Sequence, residues 1–204
     1  NADLMARQEI IEENPVDVYG LMLSLDADGI DSEGIVLDPE GGYYISDEYD
    51  PSLIKVNSEG KMQRRFLPGF DLPKIYSERK TNRGFEGIAL SNNHLYGFLQ
   101  SPIPGDKPYV RIVELNLETN KTSAEYFYQL DKEADRIGDA VALPNGEFLV
   151  IEQNSKTGDK SYKKIYRIKL NSSDDLVTKT LVVDLDKTQF RAHEKVEGLT
   201  VIDS

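Results

Sequence analysis

Short apolar runs, each closed by Gly, Pro, Asn or Asp, divide this chain, and none recurs with the period of about 3.6 residues that marks an amphipathic helix. Between residues 33 and 67 there are four such runs: 35–38, 43–48, 52–56 and 61–67. Pro39-Glu40-Gly41-Gly42, Tyr49-Asp50-Pro51 and Asn57-Ser58-Glu59-Gly60 separate them. Aromatic and β-branched runs bounded by turn residues predict strands of an antiparallel meander. The pattern returns at 87–90, 95–100, 109–116 and 122–130, and again at 140–143, 147–153, 162–170 and 176–185.

A phrase heads each group of four: an acid, usually a Gly, then a brief apolar run. It reads Glu33-Gly34-Ile35-Val36, Glu86-Gly87-Ile88-Ala89, Asp139-Ala140-Val141-Ala142 and Glu197-Gly198-Leu199-Thr200. A repeat of roughly 50 residues built from four strands predicts an all-β fold, a β-propeller of four-stranded antiparallel blades. Residues 1–204 read as a single propeller domain, with blades at about 33–67, 86–130 and 139–185 and the next beginning at 197. Three blades are complete. The fourth has only its first strand before Ser204, so the chain is expected to be part of a longer propeller of about six blades. Upstream, residues 2–13 read as a helix ended before Pro15, as an ordered loop, or as a strand of an earlier blade; residues 16–25 read as an outer strand. The irregular stretches 68–84 and 153–161 are long enough to be functional loops.

Of 204 residues, 39% are hydrophobic and 29% charged, a globular composition. The net charge of −12 argues against nucleic acid, which needs basic stripes, and suits a protein that attracts cations. No run approaches about 18 consecutive apolar residues, so no membrane-spanning helix is expected. The chain has no cysteine, which excludes disulfides and thiolate metal sites but leaves the compartment open.

In an antiparallel blade, the loop entering the first strand and the loop joining the second and third lie at the same end. Glu33, Glu86, Asp139 and Glu197 close the first kind of loop; Asp47 and Glu48 open the second kind in the first repeat. Singly, each acid–Gly pair reads as a repeat-shaping turn. Together, carboxylates gathered around an axis repel unless protons, basic groups or a cation compensate. Their hard oxygens suit Ca²⁺ above all, or Mg²⁺ and Mn²⁺. Basic residues stand just upstream of the acids: Arg79 and Arg83, then Arg136, then Arg191, His193 and Lys195. They are surface ion pairs or a handle for an anionic substrate, for which Arg79, Arg83, Lys195 and His193 are the candidates. Glu86 and Arg83 are the best placed for catalysis. No Gly-x-Ser-x-Gly elbow or phosphate-cradling Gly-x-x-x-x-Gly-Lys loop is present, and no nucleophilic triad can be drawn, so hydrolysis here would rest on metal-activated water. His94 reads as a solvated turn residue, and Tyr43, Tyr44, Tyr126, Phe127 and Tyr128 as packing between blades.

Several stretches resemble the phytase-like family described as having esterase-like activity. They are Asp31-Ser32-Glu33-Gly34-Ile35-Val36, Gly42-Tyr43-Tyr44-Ile45-Ser46-Asp47-Glu48-Tyr49 and Asn82-Arg83-Gly84-Phe85-Glu86-Gly87-Ile88-Ala89, with Leu99-Gln100-Ser101-Pro102 and Phe148-Leu149-Val150-Ile151-Glu152 downstream. The resemblance covers most of residues 28–202. It implies a β-propeller, often in exported bacterial proteins of periplasm or cell exterior, that hydrolyses small anionic esters or phosphoesters. Two alternatives stay open: a non-catalytic propeller stabilised by Ca²⁺ and used as an interaction module, and a sugar-lactonase-like propeller with an axial carboxylate-rich metal site.

Overall fold

The computed structural model describes residues 18–22, 29–171, 174–189 and 195–202. Twelve strands follow one another through the described residues. β1 (Ser32–Leu37), β2 (Tyr43–Asp47), β3 (Ser52–Val56) and β4 (Met62–Phe66) form the first meander. β5 (Phe85–Ser91), β6 (His94–Leu99), β7 (Tyr109–Asn116) and β8 (Lys121–Gln129) form the second. β9 (Arg136–Ala142), β10 (Phe148–Gln153), β11 (Lys163–Asn171) and β12 (Asp174–Asp184) form the third. Every consecutive pair within a meander is antiparallel. This is the all-β, four-stranded blade architecture that the repeat predicts.

Turn chemistry sets these registers. Asn92 and Asn93 both take positive φ between the paired ends Ser91 and His94, the two-residue hairpin geometry that follows the twist of the strands. The Asn57 side-chain oxygen accepts the amides of Glu59 and Lys61 and holds the turn between β3 and β4. The loop 68–84 contains a short 3-10 turn, Lys74–Glu78, whose buried Tyr76 lies 5.2 Å from Phe85.

One apolar core runs through all three blades, including Leu53 and Phe66 from the first, Phe85 and Phe98 from the second, and Phe148 and Val150 from the third. Phe148 meets Tyr96 edge-on at 4.8 Å and Phe98 at 5.9 Å, which locks the third blade to the second. The first strands of the blades pack side by side, β1 on β5 and β5 on β9. Here the Gly of the repeated phrase has its reason. A Cβ on Gly34 would stand 2.9 Å from the Glu86 carbonyl oxygen, and one on Gly87 would stand 2.8 Å from the Ala140 nitrogen. The outermost strands also touch: β12 pairs with β8 in parallel through Leu176 and Phe127, joining the second and third blades into one sheet of eight strands.

The end of the second strand in each blade clasps the start of the next blade. The Gly84 amide donates to the Glu48 carbonyl at 2.9 Å, and the Ile137 amide to the Gln100 carbonyl at 2.8 Å. In the third blade the Gln153 side chain takes over, accepting from the Val196 amide at 2.8 Å and donating to the Val196 carbonyl at 2.9 Å.

Some expectations are altered. Of the outer strand expected at 16–25, the described residues 18–22 form no extended strand, and Val18, Tyr19, Leu21 and Met22 are exposed. Residues 2–13 lie outside the described residues. The aromatics do not act as one packing set. Tyr44 and Tyr128 are buried, Tyr43 is exposed, and Tyr126 donates to Glu114.

Candidate functional site

Each blade's first strand carries a β-bulge, one extra residue against the second strand, and the bulge decides which acid enters the site. In the second blade Phe85 pairs with Leu99 and Gly87 with Phe98, leaving Glu86 as the extra residue. In the first blade Glu33 and Gly34 fall in the matching gap between Ser32–Asp47 and Ile35–Ile45. In the third, Ile137 pairs with Glu152 and Asp139 with Ile151, so the extra residue is Gly138. Bulges re-aim side chains at sheet rims. Asp139 is therefore one position out of step with Glu33 and Glu86, and an extended chain turns successive side chains to opposite sides.

The structure gathers the acids of the first two blades. Carboxylate oxygens of Asp31, Glu33 and Glu48 all lie within 4.8 Å of one another. Gln100, at the end of β6, joins this group to Glu86: its Nε2 donates to Glu48 Oε1 at 2.5 Å and to Glu86 Oε2 at 2.6 Å. Gln100 is buried, and its Oε1 has no hydrogen-bond partner among the described residues. Asn82, at positive φ, brings one end of its side-chain amide 3.1 Å from Asp31 Oδ2 and 3.0 Å from Glu48 Oε2; facing two acceptors, that end is assigned as the donating nitrogen. Arg83 Nη1 approaches Glu48 Oε1 at 3.5 Å and also donates to the Asn82 carbonyl.

Burial and mutual repulsion push these acids upward. Glu86 rises from 4.5 to about 8, first through burial and then through the charges of Glu48 and Glu33, against the opposing Gln100 bond. Glu48 rises to about 7 by burial and the charges of Glu33 and Asp31, partly offset by Arg83 and Lys195. Glu33 is raised for the same reasons, with Glu197 adding to the repulsion. Ionising all of these acids at once is therefore unfavourable in the metal-free fold, first because they are buried and then because they repel one another.

The other sequence candidates are placed differently. Both oxygens of Asp139 are engaged, by the amides of Ala140 at 2.7 Å and Leu199 at 2.8 Å; burial still raises it to about 6. Glu197 pairs with Lys195 at 2.9 Å, and Lys195 remains close enough to lower the pKa of Glu33, Glu48 and Glu86. Asp47 is fully buried beside the cluster, its oxygens taken by the Asp31, Tyr49 and Asp50 amides, the Ser52 hydroxyl and Arg65. Burial lifts it to about 6 against the opposing charge of Arg65. Arg79 donates to the Tyr49 carbonyl. His193 and Arg191 lie outside the described residues. His94 sits in the β5–β6 turn, its Nδ1 2.8 Å from the Asn92 carbonyl.

Asp31, Asn82 and Gln100 are site residues that the acid–Gly phrase does not reveal. Over residues 12–204 the chain matches the family described as phytase-like, with the esterase-like activity of phytase. The chain belongs to that family. The phytase-like chain is 25% identical over 221 residues to an uncharacterized secreted protein of Arthroderma benhamiae, covering 83% of this chain and 42% of the relative. It therefore spans less than half that relative's length. Among solved structures, the hydrazine synthase of Kuenenia stuttgartiensis superposes with a TM-score of 0.52 at 13% identity, over 84% of this phytase-like chain and 48% of that chain. A Synechocystis apocarotenoid oxygenase mutant gives a TM-score of 0.46 at 13% identity, over 82% and 44% of the two chains. The likeness to hydrazine synthase speaks for the fold alone. No helix among the described residues is long and apolar enough to cross a membrane.

Proposed function

We propose that this phytase-like chain is part of an exported, metal-dependent hydrolase of small anionic esters or phosphoesters, acting where its first two blades meet. The observation that carries the reading is the group of three carboxylates, Asp31, Glu33 and Glu48, with ligand atoms within 4.8 Å of one another. All are hard oxygen donors of the kind Ca²⁺ takes, and the orphaned, buried Oε1 of Gln100 beside them fits a site completed by a ligand. A divalent cation bound there would supply Lewis-acid polarisation of the ester and an activated water.

The chain's own residues supply the rest. Glu86, held by Gln100 and pushed up to about 8 by burial in the metal-free chain, is the group placed to hand a proton to a leaving alkoxide. Arg83 and Lys195, both partly exposed at the edge of the acids, meet the substrate's anionic group. Export rests on the secreted relative. The test is a panel of aryl esters, aryl phosphates and lactones, assayed with Ca²⁺ and with chelator. Turnover that chelator abolishes and Glu86→Gln impairs is the expected result; chelator-resistant turnover refutes metal dependence.

A second reading, a calcium-stabilised propeller without catalysis, draws support from the arginines. Arg79 is committed to the Tyr49 carbonyl, and Arg83 to Asn82 and Glu48. Calcium binding without turnover across the whole panel would favour it.

A further inference from the structure

We propose that the buried Asp47–Arg65 pair is a positioning device that sets the cation affinity of the neighbouring carboxylate cluster by fixing the backbone at Asp31; this rests on the cation-site reading above. Asp31 precedes β1, and it must bring its carboxylate to within 4.8 Å of two others against their repulsion. Hydrogen bonds to its amide and to its carbonyl hold its backbone. Its amide donates to Asp47 Oδ1 at 3.2 Å, and its carbonyl accepts from the Glu48 amide at 3.0 Å.

Asp47 is suited to this task and poorly suited to ligation. Its Oδ1 also gathers the Tyr49 and Asp50 amides, which fixes the turn that follows Glu48. Its Oδ2 accepts from the Ser52 hydroxyl at 3.1 Å and from Arg65 Nη2 at 2.8 Å. Arg65 extends from β4, on the far side of the first blade, and the same Nη2 donates to the Gly29 carbonyl at 2.7 Å. One guanidinium thus holds the chain just before Asp31, and one carboxylate holds Asp31 and the turn beside Glu48. Both sides of the cluster are referenced to one buried ion pair, 0% exposed at Asp47 and 10% at Arg65. Groups that orient ligands without touching the ion commonly change metal affinity by about 10- to 100-fold when removed.

The experiment is calorimetric titration of the metal-free chain with Ca²⁺, beside thermal unfolding of each variant. Asp47→Asn keeps an oxygen for the amides but confronts Arg65 with an amide nitrogen; it is expected to weaken binding about 10-fold or more. Arg65→Lys keeps a positive charge on β4, but its shorter side chain stops short of the Nη2 position that serves both Asp47 and the Gly29 carbonyl, and it is expected to weaken binding several-fold. Ser52→Ala removes a bond to the same carboxylate on the side away from Asp31, and is expected to lower the melting temperature at unchanged affinity. Equal losses of affinity in Ser52→Ala and Asp47→Asn would reduce the pair to general stability and overturn the proposal. Wild-type affinity in Asp47→Asn overturns it too; should that variant not fold, wild-type affinity in Arg65→Lys does the same. No Ca²⁺ binding by the wild-type chain removes the cation-site reading itself, and the positioning role with it.

Discussion

Replacing Glu86 by Gln tests the electrostatics of the site without a substrate. In the folded chain Glu86 keeps its proton up to a pKa of about 8, whereas the unfolded chain releases it near 4.5. Between those values the folded state binds more protons than the unfolded one, so stability falls as pH rises through this window. Below it both states are protonated and the penalty vanishes. Each pH unit in the window costs about 1.4 kcal/mol for one such group. From pH 5 to pH 7 the wild type should therefore lose about 2–3 kcal/mol through Glu86 alone. The substituted side chain cannot ionise, and its amide oxygen can still accept from Gln100. In chelator, the variant should unfold at a temperature close to wild type at pH 5 and about 5–10 °C above it at pH 7. Circular dichroism melts across that range read the difference directly. Parallel pH profiles for the two proteins, or a variant less stable at pH 7, would show that Glu86 is ionised in the fold and that the argument fails.

Ca²⁺ at a hundredfold excess over its dissociation constant should stabilise the folded chain by about 2.7 kcal/mol and raise the melting temperature, an effect chelator reverses; an unchanged melt would remove the cation. Gly87→Ala should cost about 1–3 kcal/mol in denaturant titration, because its Cβ would lie 2.8 Å from the backbone nitrogen of Ala140. Lys179→Met should cost about 3–5 kcal/mol, since it leaves Glu152, 0% exposed and 2.7 Å from the Lys179 ammonium, without its cation. A loss under about 1 kcal/mol would mean that the Tyr128 and Tyr162 hydroxyls and the Asp131 amide suffice to hold that carboxylate.

The blades were legible because turn residues and short apolar runs are local signals, and the repeat confirms them three times over. The site was legible only in part. Aligning the repeats by their acids puts Asp139 in step with Glu33 and Glu86, but the third bulge falls on Gly138 and shifts the acid by one residue. Nothing in Gly138-Asp139-Ala140 announces that offset; it exists only in the pairing with β10. Asp31 did leave a trace, since acids two apart in an extended chain share a side, as Asp31 and Glu33 do. Gln100 left another, standing at the end of its blade's second strand where the first blade has Glu48. The parallel contact of β8 with β12 was not legible at all, because neither strand's composition records its neighbour.

The clasp between blades makes the acid cluster the joint property of two repeats. Glu48 gives its carbonyl to the second blade's Gly84 and its carboxylate to the acid cluster, while Gln100, from the second blade, binds acids of both blades. Neither repeat owns the site; it belongs to their seam. Duplication, loss or insertion of a blade elsewhere leaves this seam whole, whereas a single insertion between residues 66 and 85 that parts the two blades erases it at a stroke. A change in blade number elsewhere spares these contacts; a separation of these two repeats does not.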